Sequence, residues 1–376
     1  MSKILNTGNG ACAMAVKAAK VDIIAAYPIT PQTSIAEKLA AYVAQGEMDA
    51  KYLPVESEHS VMSASAAASA AGARTFTATS SQGLLYMHEV LHYTAGGRLP
   101  LVIANVNRAI CAPWCLYVDH QDAVSQRDTG WIQFFVSTIQ EIYDTILLAY
   151  KVTEQIEIPV MVNYDGFLLS HSMMPFEPAD QALVDAFLPA YEPNWRLHPQ
   201  WGGTFGNVAP ADEYTAHRRR LAEDLEKAKE LIESEARNFQ DLIGRWHGGL
   251  LDWQGPGDAE VLLVSMGSMA SEVQLAVQLL ERHGIRAAGL RIRVFRPFPR
   301  EALARIIPAG AKVLVFDRNH AYGTGGGALL SEIKAALYDR RDNIQITGRV
   351  MGVGGEDLPA SLLASQALEM WEELNR

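Results

Sequence analysis

The chain has 376 residues, 49% of them hydrophobic and 20% charged, which is typical of a globular protein with about two or three domains. Its net charge of −11 and the lack of a basic segment argue against nucleic-acid binding as a main function. No apolar run approaches the roughly 20 residues that a membrane-spanning helix needs, and the N-terminus has no continuous apolar stretch of the signal-peptide type.

Residues 1 to 165 alternate short apolar segments with helices rich in small residues, which predicts an α/β domain. The predicted strands are Val21–Ala26, Lys51–Val55, Thr75–Thr79, Leu101–Asn105 and Val160–Asn163. Most of them lack strict alternation of polar and apolar residues, so we expect strands buried on both faces of a parallel sheet. The predicted helix from Ser57 to Ala73 is rich in Ala and Ser, and we expect it to pack closely on the sheet or on another subunit.

Polar residues follow these strands, at the edge of the sheet where open α/β proteins bind ligands. After the first strand, Pro28 and Pro31 restrict the backbone on both sides of Thr30 and hold it roughly extended. Glu58 follows the second strand and Arg108 follows the fourth. We expect the side chains of Thr30, Glu58 and Arg108 to share one pocket. The segment TSSQG, at residues 79–83, is a further polar loop at this edge.

The residue types alone leave the roles of Glu58 and Arg108 open. A buried carboxylate needs a partner, such as the protonated ring nitrogen of an aminopyrimidine. A helix N-terminus also favours a carboxylate, and this explains Glu56 or Glu58 equally well. The Arg108 guanidinium could hold a substrate carboxylate through two hydrogen bonds. It could instead pair with the acidic residues of segment 119–128 in a structural network.

Residues 166 to 257 are predicted to form an irregular, partly helical connector, because five prolines fall between residues 175 and 199. In the charged segment that follows, apolar residues recur mostly four and three apart. This predicts a solvated helix that packs by one face across a domain or subunit boundary. The apolar positions are Leu221, Leu225, Ala228, Ile232, Phe239, Leu242 and Trp246.

Residues 258 to 376 are predicted to form a second α/β domain, after a Gly-Pro-Gly boundary at 255–257. The predicted strands are Val261–Ser265, Ala287–Arg293, Lys312–Phe316 and Asn343–Gly348. The glycine-rich segment 323–327 resembles a phosphate-binding loop, but it lacks the Lys-Ser/Thr pair of a P-loop. We therefore favour glycines that allow a helix and a strand to approach closely, with phosphate binding as the alternative.

The segment His88-Glu89-Val90-Leu91-His92 matches the HExxH signature of zinc hydrolases. A zinc site needs a third protein ligand, and Arg98 occupies the position at which the extended signature has histidine. We favour a helix whose polar face meets another chain or the rim of the active site, and we predict no metal ligand in this chain. A zinc-dependent hydrolase using His88, Glu89 and His92 is the alternative from another functional class, and a non-catalytic scaffold subunit is a third.

The cysteines, Cys12, Cys111 and Cys115, make no disulfide framework, which predicts a reducing, cytoplasmic environment. Three thiolates cannot hold an iron–sulfur cluster that needs four, so another chain would carry the electrons in any redox reaction. The CxxxC spacing of Cys111 and Cys115 differs from the CxxC of redox pairs. We favour two small packing residues, with a reactive thiol near the substrate as the alternative.

A series of motifs extends in consistent order over nearly the whole chain. They are AAYPITPQTSIAEKL, VESEHSVMSA, ARTFTATSSQGLLYMHE, NRAICAP, DHQDAVSQRDTGWIQ and PVMVNYDGF, with LRIRVFRPFP in the last third. Together they resemble the alpha subunit of the 2-oxoacid:ferredoxin oxidoreductases, with the pyruvate synthase alpha chain as the nearest subtype. The resemblance implies a parallel-sheet domain of the pyrimidine type, which binds thiamine diphosphate, and a transketolase C-terminal-like α/β domain.

The resemblance also implies an enzyme that is active only in a complex. Such an enzyme uses thiamine diphosphate to decarboxylate a 2-oxoacid oxidatively and transfers the acyl group to coenzyme A. The implied beta subunit shares the cofactor, binds its diphosphate through Mg²⁺ and holds a [4Fe-4S] cluster. Gamma and delta subunits carry the coenzyme A-related domain and further clusters. Ferredoxin, or NAD through a flavin subunit, is the implied electron acceptor.

The roles of individual residues follow from the same resemblance. Glu58 is implied to be the catalytic and cofactor-binding glutamate, which hydrogen-bonds the pyrimidine nitrogen and promotes the imino tautomer of the cofactor. Thr30 and Arg108 are implied to bind the oxo and carboxylate groups of the substrate. Pro28 and Ile29 would line the wall of the pocket beside them.

One segment departs from the family pattern. Pyruvate-type alpha chains read close to NRALSAPINIWNDHQD, whereas this chain reads NRAICAPWCLYVDHQD. Cys111, Trp114, Cys115 and Tyr117 thus replace residues of a loop that caps the substrate. Because the shape and polarity of a pocket set substrate choice, we expect a larger or aromatic 2-oxoacid, such as phenylglyoxylate or a branched oxoacid, to be favoured over pyruvate.

Overall fold

The computed structural model describes residues 3–200, 202–340 and 342–375. The strands are β1 (Ile4–Thr7), β2 (Ile23–Ala26), β3 (Lys51–Pro54), β4 (Thr75–Thr79), β5 (Val102–Asn107), β6 (Ile132–Phe135), β7 (Val160–Asp165), β8 (Met173–Phe176), β9 (Leu251–Gln254), β10 (Val261–Ser265), β11 (Ala287–Ile292), β12 (Val294–Arg296), β13 (Lys312–Asp317) and β14 (Gln345–Val350). The helices are α1 (Gly8–Ala18), α2 (Thr33–Ala44), α3 (Glu58–Ala70), α4 (Ser81–Tyr86), α5 (His88–Gly96), α6 (Gln121–Val124), α7 (Ile139–Ile156), α8 (Gln181–Phe187), α9 (Ala211–Ile243), α10 (Met269–Arg282), α11 (Arg300–Ile306), α12 (Ala328–Leu337) and α13 (Ala360–Asn375).

The first sheet has the strand order β3-β2-β4-β5-β7-β6-β12. Strands β2 to β7 run parallel, and the residues of β4, β5, β6 and β7 are buried throughout. The chain runs from β2 outward to β3 and then crosses back to β4, so the strand order reverses between β2 and β4. The crevice outside the carboxyl ends of the strands at such a reversal is where ligands bind in this class of sheet.

The second sheet has the order β14-β13-β10-β11-β9, with β9 antiparallel to its neighbour and the others parallel. Successive side chains of a strand point to opposite faces. Leu263 on β10 therefore packs with α10 and α13, whereas Leu262 and Val264 join the main core. Together the two sheets, each parallel except for one edge strand, confirm the predicted α/β fold class.

Strand β12 comes from the last third of the chain but pairs antiparallel with β6, and so extends the first sheet. The sequence pattern did not predict β12, nor the short strands β1, β6, β8 and β9. Each has only three or four residues. Such strands are defined by a distant partner rather than by a local pattern. The predicted domain boundaries at 165 and 257 stay predictions.

Helix α9 confirms the predicted solvated helix with one apolar face. Its buried residues are Leu221, Ala228, Ile232, Ala236, Phe239 and Ile243. The helix packs on α7 and α8, where the rings of Phe239 and Phe187 meet edge to face. Leu242 and Trp246 were predicted on the apolar face but are exposed. Gly244, with a φ of 83°, ends the helix before Trp246.

None of the helices in the described ranges is both long and apolar enough to cross a membrane.

A buried ion cluster joins the first sheet's helix α7 to strand β11 and the residue that follows it. The Glu141 carboxylate accepts hydrogen bonds from Arg291 and from Nε of Arg293, the latter at 2.7 Å. All three side chains are almost fully buried. Burial by itself would raise the pKa of Glu141, but the two guanidinium groups outweigh it and hold that pKa well below its usual range.

We expect Glu141→Gln to lower stability by about 3–5 kcal/mol, because it leaves two buried cations without their counter-charge. A carboxylate with a lowered pKa contributes stability above its unfolded pKa, near 4.5, and loses that contribution as the pH falls. Calorimetry should therefore show a thermal midpoint that drops below about pH 4.5 more steeply in the native chain than in Glu141→Gln. The exposed Glu281, changed to Gln, is the control; equal pH dependence in both variants would contradict the assignment.

Candidate active site

The loop after β2 is held in place by side chains from two other elements. Asn9 on α1 donates a hydrogen bond to the Pro31 carbonyl at 2.7 Å, and Gln32 donates one to the Ala78 carbonyl on β4 at 2.9 Å. Both side chains are buried. The loop is therefore fixed over the crevice between β2 and β4. Along it, Pro28 and Thr30 are exposed and Ile29 is partly buried.

Arg108 follows β5 and turns its guanidinium group towards this loop. Its Nη1 donates to the Thr30 carbonyl at 2.6 Å, and its Nη2 donates to Oε1 of Gln82 at 2.7 Å. Its Nε is buried and has no hydrogen-bond partner among the described residues. Burial lowers the pKa of Arg108 below its usual value, and the charge of Asp122 opposes this shift. The guanidinium remains the cation of the crevice, because arginine stays protonated in proteins.

The sequence left open whether an acidic residue of segment 119–128 pairs with Arg108 in a structural network. Asp122 is the acid of that segment that contacts Arg108, and it does so through the backbone. Its carboxylate accepts from the backbone N–H groups of Ser81 at 3.0 Å and Arg108 at 3.2 Å, and from Nδ2 of Asn107 at 2.8 Å. Burial raises the pKa of Asp122, and these hydrogen bonds oppose the shift. Asp122 thus fixes the loops after β4 and β5. Within the described part of the chain, no carboxylate hydrogen-bonds the Arg108 guanidinium.

Glu58 begins α3 directly after Ser57, whose hydroxyl caps the helix by accepting from Ser60 N–H. The Glu58 side chain is turned inward and is 8% exposed. Glu56 is exposed and accepts a hydrogen bond from the Ser60 hydroxyl instead. In the described residues, nothing donates a hydrogen bond to the Glu58 carboxylate. The structure therefore separates two acids that the sequence pattern treats alike.

The segment after β4 lies against Glu58. A Cβ atom at Gly83 would lie 2.7 Å from Oε1 of Glu58 and 2.5 Å from Oγ1 of Thr79, so this position has no room for a side chain. Ser81 has a φ of 48°, which is strained for a residue other than glycine. The hydroxyl groups of Thr79 and Ser80 and the amide nitrogen of Gln82 are buried without a partner in the described structure.

The predicted residues therefore come together through a chain of contacts. The Thr30 carbonyl meets Arg108, Arg108 meets Gln82, and the next residue, Gly83, meets Glu58. Thr30 contributes its carbonyl to this arrangement, whereas the prediction concerned its side chain. A large separation of the three strand-end residues would have supported the scaffold alternative, and the contacts do not show such a separation. Gln82 received no predicted role, because only the fold brings it between Arg108 and Glu58.

The loop predicted to cap the substrate follows Arg108. Trp114 is 73% exposed, with its ring 6.0 Å from Cζ of Arg108. Cys111 and Cys115 are free and partly buried, and Sγ of Cys115 lies 3.5 Å from the Gly354 carbonyl. The loop thus lies between the crevice and the segment that follows β14. It offers an aromatic side chain beside the guanidinium group.

The HExxH segment lies on α5, as predicted, but its side chains contact other protein groups. Nδ1 of His88 meets the Gln126 amide, and the rings of His88 and His92 meet edge to face at 4.9 Å. Glu89 lies 3.6 Å from His59. Across the described ranges, no group of three or more His, Cys, Asp or Glu side chains is placed to hold a metal ion.

The glycine-rich segment precedes α12, whose first N–H groups already have protein acceptors. Asp317 accepts from Leu329 at 2.9 Å and Leu330 at 3.0 Å. A Cβ atom at Gly327 would lie 2.0 Å from the Asp317 carboxyl carbon. The close approach of helix and strand explains this glycine, and the carboxylate occupies the position that a phosphate would take.

These features define an α/β protein with a polar site at a reversal of strand order, in which a buried acid that accepts no hydrogen bond from the described residues is linked to an arginine through Gln82 and Gly83. The chain belongs to the pyruvate:ferredoxin oxidoreductase family. Residues 14–237 match the pyruvate flavodoxin/ferredoxin oxidoreductase thiamine diphosphate-binding domain, and residues 259–362 match core domain II of pyruvate:ferredoxin oxidoreductase. This confirms the predicted family.

Similar proteins carry two different substrate names. The ketoisovalerate oxidoreductase subunit VorA of Pyrococcus abyssi is 43% identical over 97% of this chain and 92% of its own length. The pyruvate synthase subunit PorA of Methanosarcina barkeri is 42% identical over 95% of this chain and 90% of its own length.

Among solved structures, the 2-oxoglutarate:ferredoxin oxidoreductase of Magnetococcus marinus superposes with a TM-score of 0.72 over 98% of this chain. It is 18% identical, so the likeness concerns the fold, and this chain spans 65% of its length. A split-gene transketolase superposes with a TM-score of 0.57 at 14% identity.

Proposed function

We propose that this chain is the alpha subunit of a thiamine diphosphate-dependent, coenzyme A-acylating 2-oxoacid oxidoreductase. One observation carries the proposal: the Glu58 carboxylate, which accepts no hydrogen bond from the described residues, is linked to the Arg108 guanidinium through Gln82 and Gly83. An acid and a cation so arranged suit a basic heterocycle and an anionic substrate. The family membership and the similarity to PorA and VorA subunits support the same assignment.

The residues present fit the pyrimidine end of thiamine diphosphate. Glu58 is a buried carboxylate that accepts no hydrogen bond from the described residues, and glycine at position 83 keeps a side chain from pressing on that carboxylate. When bound, the cofactor supplies a carbanion and an electron sink for decarboxylation. The contribution of this chain is to hold a proton between the buried Glu58 carboxylate and a ring nitrogen.

Arg108 is proposed to bind the substrate carboxylate. Its Nε has no acceptor among the described residues, and Nη1 and Nη2 each keep a second N–H beyond those bonded to Thr30 and Gln82. A planar guanidinium can present two of these groups to one carboxylate. The Thr30 carbonyl and Gln82 fix its plane, so substrate binding needs little reorganisation. The Thr30 side chain and the wall formed by Pro28 and Ile29 would contact the remainder of the substrate.

The complete active site is proposed to include partner subunits. We assign the diphosphate, its Mg²⁺ and a [4Fe-4S] cluster to a beta subunit, and the coenzyme A-related domain and further clusters to gamma and delta subunits. The three cysteines of this chain cannot provide four cluster ligands. Ferredoxin is the proposed electron acceptor, and NAD, reduced through a flavin subunit, is the alternative acceptor. Free cysteines agree with the reducing cytoplasm.

We propose that the substrate is bulkier than pyruvate. Trp114 lies beside Arg108 in the loop that departs from the pyruvate pattern, and Cys111 and Cys115 flank it. An apolar ring beside the carboxylate-binding group favours a branched or aromatic side chain on the oxoacid. The similarity to ketoisovalerate oxidoreductase subunits also supports a branched substrate.

A substrate panel on the native complex tests the proposed function. Pyruvate, 2-oxoisovalerate, indolepyruvate, 2-oxoglutarate and phenylglyoxylate are supplied with coenzyme A, and reduction of a viologen dye is recorded. We expect turnover that depends on both the oxoacid and coenzyme A, with the highest kcat/KM for a branched or aromatic oxoacid.

Two controls complete this experiment. The isolated chain should reduce no dye, and oxoacid-dependent reduction by it would contradict the proposed subunit role. Trp114→Ala in the complex should lower kcat/KM for the best bulky oxoacid about 10- to 200-fold more than for pyruvate. If the ratio of the two kcat/KM values is unchanged, Trp114 does not contact the side chain of the oxoacid.

A further inference from the structure

Gln82 is a polar side chain of the site for which the proposed function supplies no role beyond holding the Arg108 guanidinium through its oxygen. It lies on the first turn of α4, between Arg108 and Gly83. Its Oε1 accepts from Nη2 of Arg108 at 2.7 Å and lies 2.6 Å from the Ser81 hydroxyl. Because a guanidinium only donates hydrogen bonds, this contact fixes which end of the amide is oxygen.

The nitrogen end of the same amide therefore makes no hydrogen bond with Arg108. Nε2 of Gln82 is buried and lacks an acceptor within the described structure. An unsatisfied buried donor is costly, and rotating the amide would place its N–H groups against those of Arg108. The donor is thus kept in place by the bonds on the opposite end of the amide.

The backbone around Gln82 is held in a strained conformation that maintains this orientation. Ser81 has a φ of 48° and is held by three contacts: its N–H to Asp122 at 3.0 Å, its hydroxyl to the Ala109 carbonyl at 2.7 Å, and the contact with Gln82. Strain of this kind persists where surrounding contacts enforce it. Here it places Gln82 against Arg108, one residue before the glycine that approaches Glu58.

We infer that Gln82 binds the 2-oxoacid directly, with Nε2 donating a hydrogen bond to a carboxylate oxygen of the substrate while Oε1 holds Arg108. This inference rests on the proposed function of the site. The substrate carboxylate is the ligand group that both Arg108 and an amide N–H can bind, because it accepts from several donors at once. The amide N–H of Gln82 is therefore a neutral hydrogen-bond donor that acts together with the charged guanidinium group of Arg108.

Gln82→Glu distinguishes the role of the amide oxygen from the role of the amide nitrogen. The substitution keeps an oxygen acceptor for Arg108, but it replaces the N–H donor by an anion that repels the substrate. In the native complex we expect KM for the best oxoacid to rise about 10- to 100-fold, with kcat changed less than about threefold. The half-saturating concentration of thiamine diphosphate should not change.

Gln82→Met is the second variant, because it fills the same volume without adding a charge. It removes the donor and the Arg108 acceptor together, and it should also raise KM, by less than Gln82→Glu. A wild-type KM in Gln82→Glu with a raised KM in Gln82→Met would overturn the inference, since it would show that Gln82 acts only by positioning Arg108. The partly buried Gln121, changed to Glu, is the matched control for the added charge.

Binding of oxamate, a 2-oxoacid analogue that is not decarboxylated, gives a readout independent of turnover. Calorimetric titration of the complex should show about 10- to 100-fold weaker binding of oxamate to Gln82→Glu than to the wild type. If the wild type turns over oxoacids but oxamate binding and KM are unchanged in Gln82→Glu, the inference fails and the proposed function stands. If the variant weakens oxamate binding while no oxoacid is turned over by the wild type, the proposed catalytic function fails, and only the binding of a 2-oxoacid carboxylate by Gln82 stands.

Discussion

We expect Glu58→Gln to lower the turnover of the complete complex by on the order of 10²- to 10⁴-fold, the range that a positioned acid–base group contributes. The glutamine fills the same volume but cannot hold a proton against a ring nitrogen in the way that a carboxylate does. The carboxylate makes no hydrogen bond to other described residues, so the substitution breaks none within the chain. Assembly of the subunits, measured by size-exclusion chromatography, should be unaffected.

Glu56→Gln is the matched control for this experiment. Glu56 lies two residues away at the same helix end, but it is exposed, and its hydrogen bond from Ser60 lowers its pKa. We expect this variant to retain nearly all of the turnover. Near-normal turnover in Glu58→Gln, or an equal loss in both variants, would remove Glu58 from its proposed role.

Arg108→Ala is expected to raise KM for the oxoacid and to lower kcat/KM by about 100-fold or more, because hydrogen bonds to charged groups contribute about 1.5–3 kcal/mol each. Arg108→Lys keeps the positive charge but loses the planar fork, so we expect an intermediate value. Steady-state kinetics of the complex give KM and kcat/KM for each of the two variants. The loss should fall mainly on KM, since the guanidinium is proposed to bind the substrate in the ground state as well.

Arg127→Ala is the control for loss of a cation near the same segment. Its side chain is 38% exposed and lies 3.6 Å from Asp128, away from the chain of contacts that joins Thr30 to Glu58. We expect kinetic constants close to the wild type. A KM for Arg108→Ala within about twofold of the control would contradict substrate binding by Arg108, since a lost charged hydrogen bond has a larger effect.

Local patterns in the sequence were enough to predict the parallel sheets and the edge at which the crevice lies. Strands buried on both faces are mostly apolar runs, and polar residues follow them: Thr30 after a proline, Glu58 after a helix cap and Arg108 directly after its strand. Thr30, Glu58 and Arg108 could be chosen as candidates for this reason. The roles of Glu58 and Arg108 stayed open. The sequence pattern does not distinguish an exposed acid at a helix end from a buried one, and it does not show whether Arg108 pairs with an acid of the same chain.

The tertiary structure decided which of the alternatives the chain adopts. In the folded chain Glu58 is buried against Gly83, whereas Glu56 is exposed to solvent. Asp122 accepts a hydrogen bond from the backbone N–H of Arg108 and not from its guanidinium group. The fold also placed Gln82 between the cation and the acid. The residues that meet in these contacts lie 14 or more positions apart in the chain. Their contacts depend on the order of the strands, which no local pattern encodes.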